Sequence, residues 1–141
     1  MKNEIAPYLT FSGNCRAAMQ FYQQCLGGHL TFQRLGDGPC TQALPADMKE
    51  TILHSTLISE NLLITATDIV ENAGLVKGND ISLLLFCKDE MEVRKTYNLL
   101  SEGGRKTQPL TMNSEGHLMG GLKDKFGINW LLHVQNSGDN L

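Results

Sequence analysis

The sequence predicts an α+β fold of two β-α-β-β-β modules forming a cup-shaped mixed sheet with the helices outside. Three observations predict it. The stretch from Pro7 to Leu35 reads strand, helix, strand, and a close cousin returns about 75 residues on. Phe11 answers to Phe86, Asn14 to Asp89, Tyr22 to Tyr97, and the Gly27-Gly28 pair to Gly103-Gly104. Self-similarity at a fixed offset marks a repeated supersecondary unit. Strand-like alternation and short polar turns fill the rest of each half. The apolar share of 41% supplies a core, and the charged share of 19% is too small for a disordered chain. Neither half is large enough to be comfortable alone. The expectation is therefore one domain over residues 1–141, with two curved sheets drawing strands from both copies around a groove. The first module runs over about 3–68, a linker over about 69–79, and the second module over about 80–135.

Ile5, Leu9 and Phe11 fall on one side of a period-two pattern, and Ala6, Tyr8 and Thr10 on the other, which gives a half-buried strand. Pro7 lacks an N–H and suits the beginning of an outer strand. Ser12-Gly13 turns the chain, and Asn14 is placed to cap the helix that follows. Ala18, Phe21, Tyr22 and Cys25 recur at three- and four-residue steps and form its apolar face. Gly27-Gly28 stops it, because glycine takes the left-handed C′ conformation without a Cβ clash. Leu30, Phe32 and Arg34 begin the next strand. Residues 36–48 contain two glycines and two prolines without sustained period and read as a loop, with a helical turn near Ala46–Lys49. That loop is a candidate flap. Ile52–Ile58 and Leu62–Ala66 are strands joined by the polar turn Glu60-Asn61.

In the second copy, Ile81–Cys87 is almost continuously apolar and predicts a strand buried on both faces. Asp89 with Glu92 is a capping-box pattern. Val93, Tyr97 and Leu100 mark the helix face that follows. Lys106–Leu110 is a short strand. Gly116–Leu122 and Ile128–Val134 form the last hairpin, turned by Lys123–Gly127. The polar tail from Gln135 to Leu141 is expected to fray.

Composition excludes several functions. The net charge is −3 with no Lys/Arg cluster, whereas a nucleic-acid surface needs a concentrated positive face. No run approaches the length of apolar chain that spans a bilayer. The N-terminus MKNEIAPY has no apolar signal core, and the expected location is the cytoplasm. Cys15, Cys25, Cys40 and Cys87 form no C-x-x-C pair and read as small, mostly buried side chains.

YLTFSGNCRAAMQFYQQCLGG, HSTLISENLLITATD, LLSEGG and KDKFGINW together resemble the PhnB-like branch of the vicinal oxygen chelate superfamily, the glyoxalase/bleomycin-resistance/dioxygenase group. The resemblance spans roughly Ile5 to Val134. It implies paired βαβββ modules, a cup enclosing a small-molecule site, and a homodimer. Domains of this kind also carry the name demethylubiquinone methyltransferase. The sequence shows no glycine-rich loop after a strand that would hold a methyl donor's nucleotide.

The resemblance also implies where a metal would sit: on the first and last strands of each module. Those slots fall near Pro7 or Tyr8, near Ser82 or Leu83, at Leu131, and near Thr65. A divalent ion needs several N, O⁻ or S⁻ donors converging at about 2 Å. Leucine and proline supply none, so neither a metal nor any other cofactor is expected.

The candidate ligand-binding residues are His54, Asp68, Trp130, His117, Phe32 and Tyr8. His54 on its strand has the titration range of a general base. Asp68 stands where a strand leaves the cup and is placed to orient a ligand, or else to start a turn. His117 is a candidate donor at the mouth. Trp130, Phe32, Tyr8 and Phe86 are candidates for an aromatic wall, or for core. Asp124 and Gly127 read as hairpin residues, and His133 is set aside. The leading reading is metal-free binding of a small organic molecule. The alternatives are a lyase, isomerase or dioxygenase-type enzyme with a non-standard site near His54, and a structural or regulatory partner domain.

Overall fold

The computed structural model describes residues 3–39 and 43–134. Cys40 and the tail expected to fray, 135–141, lie outside the described residues. The chain divides into two compact units, Met1–Val76 and Lys77–Leu141.

The first unit contains β1 (Tyr8–Thr10), α1 (Cys15–Leu26), β2 (His29–Arg34), the short α2 (Ala46–Lys49), β3 (Ile52–Ser59) and β4 (Leu62–Thr67). Its sheet has the order β1-β4-β3-β2, with β1 parallel to β4 and the other pairs antiparallel. The second unit contains β5 (Leu83–Cys87), α3 (Glu90–Ser101), β6 (Arg105–Met112), β7 (Leu118–Lys123) and β8 (Asn129–Val134). Its order, β5-β8-β7-β6, and its strand directions repeat those of the first. The βαβββ repeat is thus present twice. Each sheet takes all four strands from one copy, which corrects the expectation of sheets shared between copies. The physical reason is local: Glu60-Asn61 and the 124–128 turn are short, so consecutive strands pair at little loop-closure cost.

The two long helices, α1 and α3, are each started by a carboxylate. Asn14 occupies the N-cap position of α1, at φ −119° and ψ 23°, but its side chain makes no capping bond. Asp68, from the chain just after β4, does that work. Its Oδ1 accepts the Gly13 and Cys15 N–H groups at 3.0 and 2.9 Å, and its Oδ2 accepts the Ile52 N–H at 3.2 Å. Negative charge there is also favoured by the helix dipole. At α3 the expected residue caps: Asp89 accepts the Glu92 N–H at 2.8 Å. Gly27 ends α1 at φ 76°. Gly104, after α3, is demanded by space instead: a Cβ there would collide with the Lys123 carbonyl.

α1 buries Cys15, Ala18, Met19, Phe21 and Tyr22, on a sheet face that includes Leu57, Ile64 and Ala66. Full burial of a large apolar side chain contributes about 1.5–3 kcal/mol, several times the propensity difference between ordinary helix residues. α3 docks in the same way through Val93, Tyr97 and Leu100, with Leu118, Leu122, Trp130 and Leu132 buried in its unit. One strand differs from expectation. β5 is not buried on both faces: Leu84 and Phe86 are 49% and 47% exposed. They alternate with Leu83 and Leu85, and only the latter pair faces the helix-covered side.

Candidate functional site

In each sheet one face carries the helix and the other is open. Register determines which side chains share the open face of the first unit. Tyr8 pairs with Thr65, Thr65 with Thr56, and Thr56 with Thr31, a polar row across all four strands. His54 lies on the same face as Thr56. Its ring stacks against Tyr8, with centroids 6.0 Å apart and planes 25° apart, and its Nε2 lies 3.3 Å from Thr56 Oγ1. The structure therefore brings together two of the residues singled out from sequence, Tyr8 and His54.

Beside this row is a cavity of about 400 Å³ lined by Tyr8, Thr10, Thr67, Ile69, Val70, Glu71, Gly74 and Leu75. The strands supply Tyr8, Thr10 and Thr67. The irregular connection after β4 supplies the apolar wall and one carboxylate. Thr67 holds that connection in place: its Oγ1 donates to the Leu53 carbonyl at 2.8 Å and accepts the Ile69 N–H at 3.0 Å. The 69–79 connection, a linker by its sequence, also walls this cavity through Ile69, Val70 and Leu75. The signal was present in the apolar run Ile69-Val70 and in Leu75-Val76 within an otherwise polar segment.

The remaining candidates lie elsewhere. Asp68 immediately precedes Ile69, but its carboxylate is engaged by three backbone N–H groups, those of Gly13, Cys15 and Ile52. Phe32 faces α1, with the Arg16 guanidinium 4.6 Å from its ring centroid. Trp130 is 3% exposed and donates its indole N–H to Asp124 Oδ2 at 2.9 Å. Asp124 also accepts the Phe126 and Ile128 N–H groups at 2.8 and 3.0 Å, so it shapes the β7–β8 hairpin as expected. Of the four proposed wall aromatics, Tyr8 and Phe86 reach open faces, whereas Phe32 and Trp130 do not.

On the open face of the second unit, His133 Nε2 and His117 Nδ1 share a hydrogen bond of 3.2 Å. Phe86 meets the His133 ring edge-on at 5.5 Å. His133 Nδ1 is buried and, among the described residues, meets no hydrogen-bond partner. Burial, followed by the neighbouring His117, holds the His133 pKa below its ordinary value of 6.5, with Glu115 opposing. His133 is not among the residues the sequence singles out; its same-face alternation with Leu131 is the signal that points to it.

The metal slots can be tested on donor chemistry. Tyr8 and Thr65 are register partners on the open face, and the Thr65 hydroxyl already donates to the Pro7 carbonyl at 2.7 Å. In the second unit Leu131 pairs with Leu84, whereas Leu83 pairs with Trp130 on the covered face. One phenol, one committed hydroxyl and two leucines do not fit a divalent ion. Among the described residues no three His, Cys, Asp or Glu side chains group as ligands, and no helix is long and apolar enough to cross a membrane.

Comparison with known proteins adds to this picture. The family described as 3-demethylubiquinone-9 3-methyltransferase matches residues 3–133. The crystal structure of PA1353 from Pseudomonas aeruginosa is 32% identical, with TM-score 0.81 over 95% of this chain and 98% of that one. Protein YjdN of Escherichia coli is 25% identical over 92% of this chain and 94% of its own length. A PhnB protein from Bacillus cereus, described as a putative 3-demethylubiquinone-9 3-methyltransferase, is 23% identical, with TM-score 0.70 over 94% and 100% of the two chains. Solved glyoxalase/bleomycin resistance/dioxygenase-type proteins share the fold. The chain belongs to the PhnB-like family described as 3-demethylubiquinone-9 3-methyltransferase, and its fold is that of the glyoxalase/bleomycin resistance group.

Proposed function

We propose that this protein binds a small organic molecule on the open face of its first unit, without the metal of its superfamily. The observation that carries the reading is the cavity of about 400 Å³ bounded by Tyr8, Ile69, Val70 and Leu75, with Thr10, Thr67 and Glu71 as its polar points. Small-ligand sites have this volume and this balance of apolar wall and sparse polar groups. The ligand class is a compact, largely apolar molecule with one or two hydroxyl or amine groups. The homodimer and the cytoplasmic location belong to the same proposal. Methyl transfer has little support here. A methyl donor's charged groups seek N–H groups at a helix start, and at both α1 and α3 a protein carboxylate, Asp68 or Asp89, already accepts one of these and sets negative charge there.

The test is a thermal-shift screen of the whole chain against metabolites and drugs. A ligand at 100 times its dissociation constant stabilises the folded state by about 2.7 kcal/mol. A hit is expected to raise the melting temperature, and Tyr8→Ala to abolish that rise. A hit unaffected by Tyr8→Ala, or no hit in a broad set, counts against the site. Stoichiometric metal in the purified protein, with ligand binding lost on chelation, counts against the metal-free reading.

A second reading, an enzyme of lyase, isomerase or dioxygenase type, is favoured by the exposed His54 ring stacked on Tyr8 beside Thr56. It requires that His54→Ala keep ligand binding and lose turnover of the ligand.

A further inference from the structure

We propose a second binding site, on the helix-covered side of the second unit, for a small carboxylate anion with a compact apolar body. It is a groove of about 350 Å³ between α3 and β6, lined by Arg94, Tyr97, Asn98, Lys106, Pro109 and Leu110. Four features of this unit converge on it.

The first is a break in the sheet ladder. β6 is an end strand, and its register against β7 shifts twice, between Lys106 and Gln108 and between Gln108 and Thr111. Pro109 lies inside the second shift and has no N–H to offer the ladder. Such irregularities at sheet edges re-aim side chains and recur beside functional sites. The second is the space made for the floor. A Cβ at Gly120 would come within 2.7 Å of Leu110 Cδ2 and 3.1 Å of Tyr97 Cε1, so glycine there lets both side chains settle where they line the groove.

The third is the way Tyr97 is presented. Its hydroxyl turns inward and donates to the Gln108 carbonyl at 2.7 Å. The ring is 4% exposed, so the accessible apolar surface of the groove comes mainly from Pro109 and Leu110 beside it, which suits a compact hydrocarbon body. The fourth is charge. Lys106 Nζ lies 5.3 Å from the Tyr97 ring centroid and 3.2 Å from Asn98 Oδ1. Both partners are neutral, and among the described residues no carboxylate forms an ion pair with Lys106. Arg94 adds a second cation, paired with Glu90 at 3.2 Å in an exposed i,i+4 bridge that a competing anion replaces at small cost. An ammonium held beside an amide at the end of this apolar strip recognises a carboxylate whose body lies along Pro109 and Leu110.

The experiment is a heteronuclear NMR titration of the full chain with benzoate, with benzyl alcohol as the uncharged comparator. Benzoate is expected to shift the Tyr97, Asn98, Lys106 and Leu110 resonances saturably. Lys106→Gln should weaken it about tenfold, the effect of losing one charge-assisted hydrogen bond. Benzyl alcohol should bind the wild type about as weakly, and added salt should weaken benzoate alone. The proposal is overturned if no saturable shift appears at these residues. It is equally overturned if Lys106→Gln leaves benzoate affinity unchanged, or if benzyl alcohol binds as tightly as benzoate. Tyr8→Ala should leave this titration untouched, so its outcome is separate from that of the first site.

Discussion

Replacing Asp68 tests the central structural claim about the first unit, that one carboxylate joins α1 to β3. Its three accepted N–H groups come from Gly13, Cys15 and Ile52. Cys15 and Ile52 are 0% and 1% exposed, so water cannot replace the lost acceptor at either. A buried orphaned donor costs about 1–3 kcal/mol, and loss of a helix cap typically about 1 kcal/mol. Asp68→Ala should therefore cost about 4 kcal/mol, a large share of the 5–15 kcal/mol typical of a folded domain. Asp68→Asn keeps one carbonyl oxygen for Gly13 and Cys15 but turns an amide NH₂ toward the Ile52 N–H. It should cost about 2 kcal/mol. Urea unfolding followed by far-ultraviolet circular dichroism is the suitable assay, because the single tryptophan, Trp130, lies in the other unit. With a slope of about 1–3 kcal/mol per molar urea, the asparagine variant should lower the midpoint by about 1 M. Amide exchange at Cys15 and Ile52 should accelerate in the same order. An Asp68→Asn protein as stable as the wild type would refute the reasoning. If that protein also lost ligand-induced stabilisation, Asp68 would be a ligand residue instead.

Further outcomes follow from the same geometry. Asp124→Ala removes the acceptor of two backbone N–H groups and the Trp130 indole N–H. It should cost about 3 kcal/mol and red-shift Trp130 fluorescence; an unchanged spectrum and midpoint would count against it. Burial, then Asp68, pushes the Cys15 thiol up to about 12. Alkylation mapped by mass spectrometry at mildly alkaline pH should therefore mark Cys25, which is partly exposed, well before Cys15. His133 is held below its ordinary pKa of 6.5, so the unfolded chain takes up its proton first as pH falls. Stability from this residue is present above 6.5 and is lost as pH drops from there through the lower folded value. His133→Gln should flatten the pH dependence of stability in that window, and an unaltered profile would exclude the residue as its cause.

The architecture was legible in the sequence because it rests on local signals. The 75-residue echo from Phe11 to Phe86 announced two copies, and period-two and helical spacing placed the strands and helices to within a few residues. Asp89 capped as its position implied, since a cap and its target N–H lie three residues apart. Asp68 defeated the same reasoning. It sits 55 residues from Gly13, so only the parallel pairing of β1 with β4 delivers its carboxylate to the start of α1.

The site divides in the same way. Tyr8 and His54 could be named from residue type and strand parity, but their stacking depends on β3 and β4 lying side by side in one register. Phe32 and Trp130 were named for being aromatic, and a ring does not reveal which sheet face it occupies. That is fixed by the face its helix covers. By itself the sequence determined the repeat, the element order and the family, because neighbouring residues carry that information. Tertiary structure alone decided which side chains share a face and which polar atoms find partners, because those contacts join segments that chain distance keeps apart.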